Sequence, residues 1–567
     1  MDTRVSIYTL IDHKEFYGDD KPISVAQNLI RNIPSVTLLN YVSGFNVNLY
    51  LNEHSEDSGK IQAYLIDNLV SRAGGETLTS WKKVLNKQVE NGHAPVVIWN
   101  YSNLLFYSLI FKRFNNLPSR DLSQKDAKAF FEAYLIVNSS ANKRIAIEEE
   151  ELRKAIETNT TEDVLLPNFI YQKDYASTTD FSNQVTRGVL FFEYLEKHGK
   201  YGTIVQDYYK AKGISGHLRM FKNLMVLFSL IRIENNFPNQ RLQLLNVQEY
   251  YIGGDIDLEF IDSLCINLFI KTYLEDQSFG QLRNTFLYKL NAYQYFILDI
   301  NFLIDYFYKA QVFAFNSYLK SRGVKDEFLS IKAKEFMEEI YLPMVFKGCF
   351  PSYTKYFGSD CVNSKKEELC DVYLRSGNKI CLIEFKDVLL NASAKNSAVK
   401  ETLFNEFDKK FVANEKNKAK GITQLINAVK DIEANGVLFD EAVNGNQIEV
   451  FPIVVYTDHS FGIDGLNKVY KVKFGEATNQ LSFNKVRLKD ITFINLNFFE
   501  IREDYLAKGL LDLFILLEQY HVHISNQDYQ QTPFEVFSRF YMNENTKENL
   551  GLPLTYQNIL SKIIAAK

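Results

Sequence analysis

The stretch CDVYLRSGNKICLIEFKD, residues 370–387, decides how the chain reads. Asp371–Leu374 and Ile380–Phe385 are β-prone runs, and the turn formers Arg375-Ser376-Gly377-Asn378-Lys379 between them predict a hairpin. With the turn centred near Gly377, Asp371 falls beside Ile383, one step from Glu384. A one-residue bulge would bring the two carboxylates directly together. Glu384 and Lys386 are two apart on one strand and so project from the same face. Two carboxylates and an ammonium thus converge at the end of the apolar strand ICLIEF. Burying two like charges there is unfavourable unless a cation compensates. Hard oxygen ligands arriving from two strands suit Mg²⁺ or Mn²⁺, which keep positions open for water and phosphate oxygens. Lys386 beside them would hold or deprotonate an attacking water, or neutralise charge developing on phosphorus. The same residues also read as a salt-bridged strand end, with Asp371 and Glu384 pairing Lys386 and Arg375. Spacing alone does not choose between the two.

The flanks extend the pattern. Lys325–Phe346 predicts a helix with an apolar stripe (Leu329, Ala333, Phe336, Met337, Ile340), disturbed near Pro343. Residues 390–420 are polar and Lys-rich, a loop or exposed helix. Gly421–Glu433 is an amphipathic helix, IEVFPIVVYT (448–457) a β-prone run despite Pro452, and Val469–Phe474 and Ile491–Leu496 candidate strands. Helix, strand, strand, helix, strand is an α/β core.

In this order the elements resemble the PD-(D/E)XK nuclease superfamily, whose core is a helix, a three-stranded meander bearing the motif, a helix and a further strand. The resemblance covers about residues 330–458, a restriction-endonuclease-like core. Asp371 matches the motif's first Asp, with Cys370 where Pro often stands, and Glu384-Phe385-Lys386 matches the (D/E)-x-K element. The resemblance implies Asp371 and Glu384 as ligands of Mg²⁺ or Mn²⁺, joined by the Phe385 carbonyl. It adds an acidic residue on the preceding helix, for which Glu335, Glu338 and Glu339 compete and Glu338 fits best. It places Gln424, on the helix after the motif, at the site beside the catalytic Asp371, Glu384 and Lys386. The activity implied is hydrolysis of phosphodiester bonds, with DNA the expected substrate and restriction, repair or anti-phage defence the setting. Two departures stand out: 386–421 is longer than a minimal core needs, and 347–369 leaves room for an unplaced strand. A non-catalytic nucleic-acid-binding or assembly protein that keeps the fold is the alternative.

Between Lys395 and Lys420 seven lysines face four acids, a local balance of +3 in a chain of net charge −5. Lys409, Lys410, Lys416, Lys418 and Lys420 are therefore candidate phosphate contacts, although a solvated loop has the same composition. The near balance of 64 basic and 69 acidic side chains excludes a protein basic throughout. Tight non-specific nucleic-acid binding should be confined to this core or need a partner.

The 567 residues, 46% hydrophobic, suffice for several domains and exclude disorder and coiled coil. A multidomain α+β and α/β chain is expected: a mixed α/β segment over 1–100, a helical domain over 101–324, the nuclease-like domain over 325–497 and a helical C-terminal extension over 498–567. Short apolar runs at 5–11, 35–39, 45–51 and 95–99 read as strands, and 256–275 and 281–320 as helices. The helical region would suit a sensor, a scaffold for a protein partner or a self-assembly surface. Five scattered cysteines form no zinc motif and predict free thiols. There is no P-loop, no Gly-x-Ser-x-Gly elbow and no secretory leader or span-length apolar run, so a soluble cytoplasmic protein is expected. His521-x-His523 lacks a third ligand, and Asp458 reads either as a turn cap or as part of the site's rim.

Overall fold

The computed structural model describes residues 10–52, 58–90, 96–144, 146–176, 180–231, 242–325, 327–397, 399–443, 447–546 and 548–566. The hairpin forms with strand Val372–Ser376 antiparallel to Lys379–Lys386, joined by the two residues Gly377-Asn378. Gly377 has φ +61°, the sign needed at the first position of a II′-type turn. Its register differs by one residue from the sequence prediction: Val372 stands opposite Ile383, and the Asp371 amide just before it also bonds the Ile383 carbonyl.

Around the hairpin lies a mixed six-stranded sheet. In chain order its strands are Thr354–Phe357 (β1), Val372–Ser376 (β2), Lys379–Lys386 (β3), Ile448–Tyr456 (β4), Val486–Leu488 (β5) and Thr492–Asn495 (β6). β1, β2 and β3 form an antiparallel meander, and β4 is parallel to β3. β1 is the strand the sequence left unplaced. β5 and β6 share the far edge of β4, β5 pairing Ile448–Val450 and β6 pairing Ile453–Tyr456. Even-numbered β4 residues face that edge, since Val450 accepts there from the Lys489 amide. Pro452, with no N–H to give, therefore falls in the gap between the two short partners.

Even-numbered β3 residues Ile380 and Leu382 pack in the core formed with Tyr373, Val450, Val454 and helix Gly421–Asn435 (α3). α3 lays Ile422, Leu425, Ile426, Val429 and Ile432 on the sheet at helical spacing. Glu384 and Lys386 continue this even-numbered face, so the apolar stripe of β3 ends in charge beneath the start of α3.

Before the meander, Lys332–Tyr341 is π-helical and runs into helix Leu342–Cys349 (α1), where Pro343 occupies the first turn. The wider helix changes which residues face inward. Phe328, Lys332, Phe336, Met337 and Tyr341 are buried, while Leu329 and Ile340, expected in the stripe, are exposed. Residues 390–420 are more ordered than a polar loop. They hold helices Ala392–Ser397 and Lys400–Phe411 (α2), the latter burying Leu403, Phe407 and Phe411. Val469–Phe474 is helical, not a strand: it lies in helix Leu466–Thr478 (α4), where Leu466, Tyr470 and Phe474 recur every fourth residue and are buried.

The chain divides into two compact units. This sheet belongs to the unit of residues 147–174 and 326–558, which includes helices Leu496–Ile501, Glu503–Ala507, Leu513–His523, Phe534–Asn545 and the first residues of Leu554–Ala565. The other unit, residues 10–146, 175–325 and 559–566, is mainly helical. Runs 35–39 and 45–51, expected as strands, lie inside helix Ser35–Asn52, whose buried residues surround it on several sides and so lack a one-faced helical pattern. The run 5–11 lies largely outside the described residues, and only Leu10, bridged to Val96, shows extended pairing. Residues 256–320, expected as two long helices, keep one of 13 residues, Lys309–Ser321, and otherwise hold short helices and strands Leu287–Lys289 and Gln294–Ile297, joined with Leu244–Asn246 in a three-stranded sheet. Among the described residues no helix is long and apolar enough to cross a membrane.

Candidate functional site

At the charged end of β3, the Asp371 amide donates to the Ile383 carbonyl (3.0 Å) and the Asp371 Oδ2 accepts from the Phe385 amide (2.6 Å). These bonds fix the Asp371 carboxylate beside the Glu384-Phe385-Lys386 run. Lys386 Nζ donates to Glu384 Oε2 at 2.8 Å and to Gln424 Oε1 at 3.4 Å, and the same Gln424 oxygen accepts from the Gly421 amide at 2.9 Å. Gln424 thereby ties the first turn of α3 to the ammonium. Arg375, assigned to the site in the salt-bridge alternative, points elsewhere: its guanidinium holds the buried Asp440 through two bonds.

On the other side of Asp371, one oxygen each from Glu338, Glu368 and Asp371 lie within 4.8 Å of one another. Of the three acids competing on the preceding helix, Glu338 is the one in this cluster, and Lys334 pairs with it one turn back. Neighbouring oxygens on an octahedral Mg²⁺ are about 3 Å apart and opposite ones about 4.2 Å, so the three would have to draw together to share one ion. All are hard donors, the set that suits Mg²⁺ or Mn²⁺. Glu368 went unnoticed in the sequence. The bond from the Leu369 amide to the Cys361 carbonyl (2.7 Å) folds its loop back to the start of β2.

The electrostatics carry the imprint of this crowding. Burial, then the charge of Asp371, pushes the Glu384 carboxyl up to about 8. Burial also raises Asp371, against the pull of Lys386 and the Phe385 amide and with a push from Glu338. Glu368, on the exposed side of the cluster, rises through partial burial and the charge of Asp371. Burial works to lower Lys386 but is outweighed by Glu384 and Asp371, so the ammonium is held charged. Four carboxylates therefore stand around Lys386 and Lys334, a surplus of negative charge that a divalent cation would neutralise.

Comparison of the chain with protein-family models, curated proteins and solved structures returned no match.

The lysine-rich segment divides in two. Lys409 is held by Glu406 (3.2 Å) and Glu415 (3.0 Å), and Lys410 lies 4.0 Å from Glu406. Lys416 and Lys418 are exposed, while Lys420 is half-buried at the mouth of the site. Asp458 caps a turn, accepting from the Leu390 and Ser460 amides at 2.9 and 3.0 Å. Just beyond the motif Asp387 is anchored by Lys332 (2.6 Å) and Thr457 (2.9 Å), fixing the end of β3 against the π-helix and β4. His521 bonds Thr492 at 2.8 Å and is buried, so burial lowers it to about 4 and keeps it neutral.

Proposed function

We propose that this unit is a metal-dependent nuclease of the PD-(D/E)XK kind, hydrolysing phosphodiester bonds, with DNA the favoured substrate and anti-phage defence or restriction the setting. The observation that carries the proposal is the meeting at one strand end of Asp371, bonded to the Ile383 carbonyl and the Phe385 amide, with Glu384 and Lys386, which bond each other. Support comes from the topology: a helix, an antiparallel meander bearing the three residues, a helix packed on that face, and a parallel fourth strand. Asp371, Glu384, Glu338 and Glu368 would hold Mg²⁺ or Mn²⁺, with the Phe385 carbonyl as a further oxygen donor. A cation there supplies Lewis acidity and a bound water of lowered pKa.

The chain's own groups divide the remaining work. The Phe385 amide holds the Asp371 carboxylate in one orientation. Lys386, kept protonated by Glu384 and Asp371, is placed to orient water and to offset charge building on the phosphate oxygens. Gln424 prevents the ammonium from swinging away. Lys332, Asp387 and Thr457 keep the strand end rigid, because such chemistry tolerates little displacement.

Incubating the full-length chain with plasmid DNA, linear DNA and RNA in Mg²⁺ tests the proposal. Cleavage by the native protein, lost in both Asp371→Ala and Lys386→Ala, is the expected result. Cleavage that survives both substitutions places the chemistry elsewhere. Binding without cleavage of any substrate returns the protein to the nucleic-acid-binding reading.

A further inference from the structure

The acidic side of the site faces a cationic side that the motif residues do not explain. Lys420 stands immediately before α3 in an extended conformation (φ −135°, ψ 154°). Its amide donates to the Val412 carbonyl at 2.9 Å, and Ala413 pairs with Ala419 just before it. On the other side Gly421 has φ +38°, and a Cβ there would stand 3.0 Å from the Phe411 carbonyl oxygen. Only glycine lets the chain pass this close, so the backbone at 420 is pinned from both sides.

The Lys420 ammonium lies in the field of Lys386 and Lys418 as well as Glu384 and Asp371. Among the described residues it forms no ion pair. Lys395 holds Asp174, Lys400 holds Glu151 and Lys409 holds Glu406, while Lys416 and Lys418, which also form no ion pair among the described residues, are exposed where Lys420 is half-buried. A half-buried ammonium beside another ammonium, with no carboxylate of its own, stands at a place where an anion lowers the free energy. Gln424 adds a directional group. Its oxygen is committed to Lys386 and Gly421, and its amide nitrogen makes no bond among the described residues.

We propose that Lys420 and the Gln424 amide form the seat for a backbone phosphate of the substrate strand, holding it against the carboxylate cluster while Lys386 serves the chemistry. The proposal rests on the nuclease reading and deepens it: Lys420 is a positioning residue that acts in substrate binding, separate from the motif triad. It also selects one lysine from a lysine-rich segment in which Lys409 and Lys410 have carboxylates of their own.

Binding of a fluorescein-labelled DNA duplex, followed by anisotropy across a salt series, tests it in the full-length chain carrying Glu384→Gln to keep the strand intact. Lys420→Ala is expected to weaken binding about tenfold and to lower the log–log salt slope by about one, as loss of one phosphate contact requires. Lys420→Arg restores both, and in the otherwise native chain Lys420→Ala raises KM more than it lowers kcat. Unchanged affinity and slope in a folded Lys420→Ala variant, alongside native cleavage, overturn the phosphate seat and leave the nuclease reading intact. A native chain that neither binds nor cuts DNA or RNA overturns both.

Discussion

Replacing Glu384 with Gln should stabilise the metal-free protein at high pH, an unusual result for a buried residue in the centre of a site. The folded-state carboxyl is pushed up to about 8 by burial and by Asp371, against an ordinary value of 4.5. The folded chain therefore holds a proton that the unfolded chain releases. Stability linked to this group is fully present below about pH 4.5 and is lost as pH rises through about 8. The gap between the two values sets a ceiling of about 5 kcal/mol. Because Asp371, Glu368 and Lys386 share the same field, about 2–3 kcal/mol is the expected net effect. For a unit of this size that is a rise of about 5–10 °C in melting temperature. Glutamine keeps the acceptor that Lys386 uses and removes the charge. Melting curves by circular dichroism in EDTA, near pH 5 and above pH 8, should show native and variant alike at the lower pH and the variant higher at the upper. Adding Mg²⁺ above pH 8 should then raise the native protein and leave the variant nearly unmoved, since a ligand stabilises only the state that binds it. A variant that melts below the native protein in EDTA above pH 8, with equal Mg²⁺ shifts for both, would refute the account of the site's charge.

Three further outcomes are expected. Asp440→Ala leaves Arg375 and the Tyr373 hydroxyl without the carboxylate that both bond, and should cost about 3–5 kcal/mol in urea unfolding, whereas a surface ion pair would cost under about 1. Gly421→Ala meets both the positive φ and the Phe411 backbone, and should lower stability by about 1–3 kcal/mol while weakening substrate binding through Lys420. Asp299, fully buried at the start of helix Ile300–Asp305, is raised to about 7 by burial, so the native chain should lose about 2–4 kcal/mol relative to Asp299→Asn as pH rises from 4 to 8. Paired pH titrations of the melting temperature check this last case.

How much of this was legible in the sequence depended on how far each signal is local. The hairpin announces itself through Gly377-Asn378 between two apolar runs, and β4 through the density of β-branched residues in IEVFPIVVY. The one-residue difference in register follows from the turn, since spacing cannot tell a two-residue loop from a longer one. The π-helix was invisible for a related reason. A stripe sought at 3.6 residues per turn selects Leu329 and Ile340, whereas the wider helix turns Lys332 and Tyr341 inward. Alternation in VYKVKF imitates a strand, yet Leu466, Tyr470 and Phe474 show the helical period once the window is widened. Asp371, Glu384 and Lys386 were legible because one hairpin carries all three. Glu368 was not, because its arrival depends on how the loop from Cys361 closes, and Lys420 stood out from its lysine neighbours only once their ion pairs and exposure were known.

The central claim is that carboxylates converging at the end of β3 hold a divalent cation. Crystals of the full-length chain grown with Mn²⁺, measured at the manganese absorption edge, test it directly. The account predicts an anomalous peak about 2.1–2.3 Å from oxygens of Asp371 and Glu384, lost in Asp371→Ala. Density showing Lys386 still bonded to Glu384, with no peak beside Asp371 in a protein that retains cleavage, would contradict it.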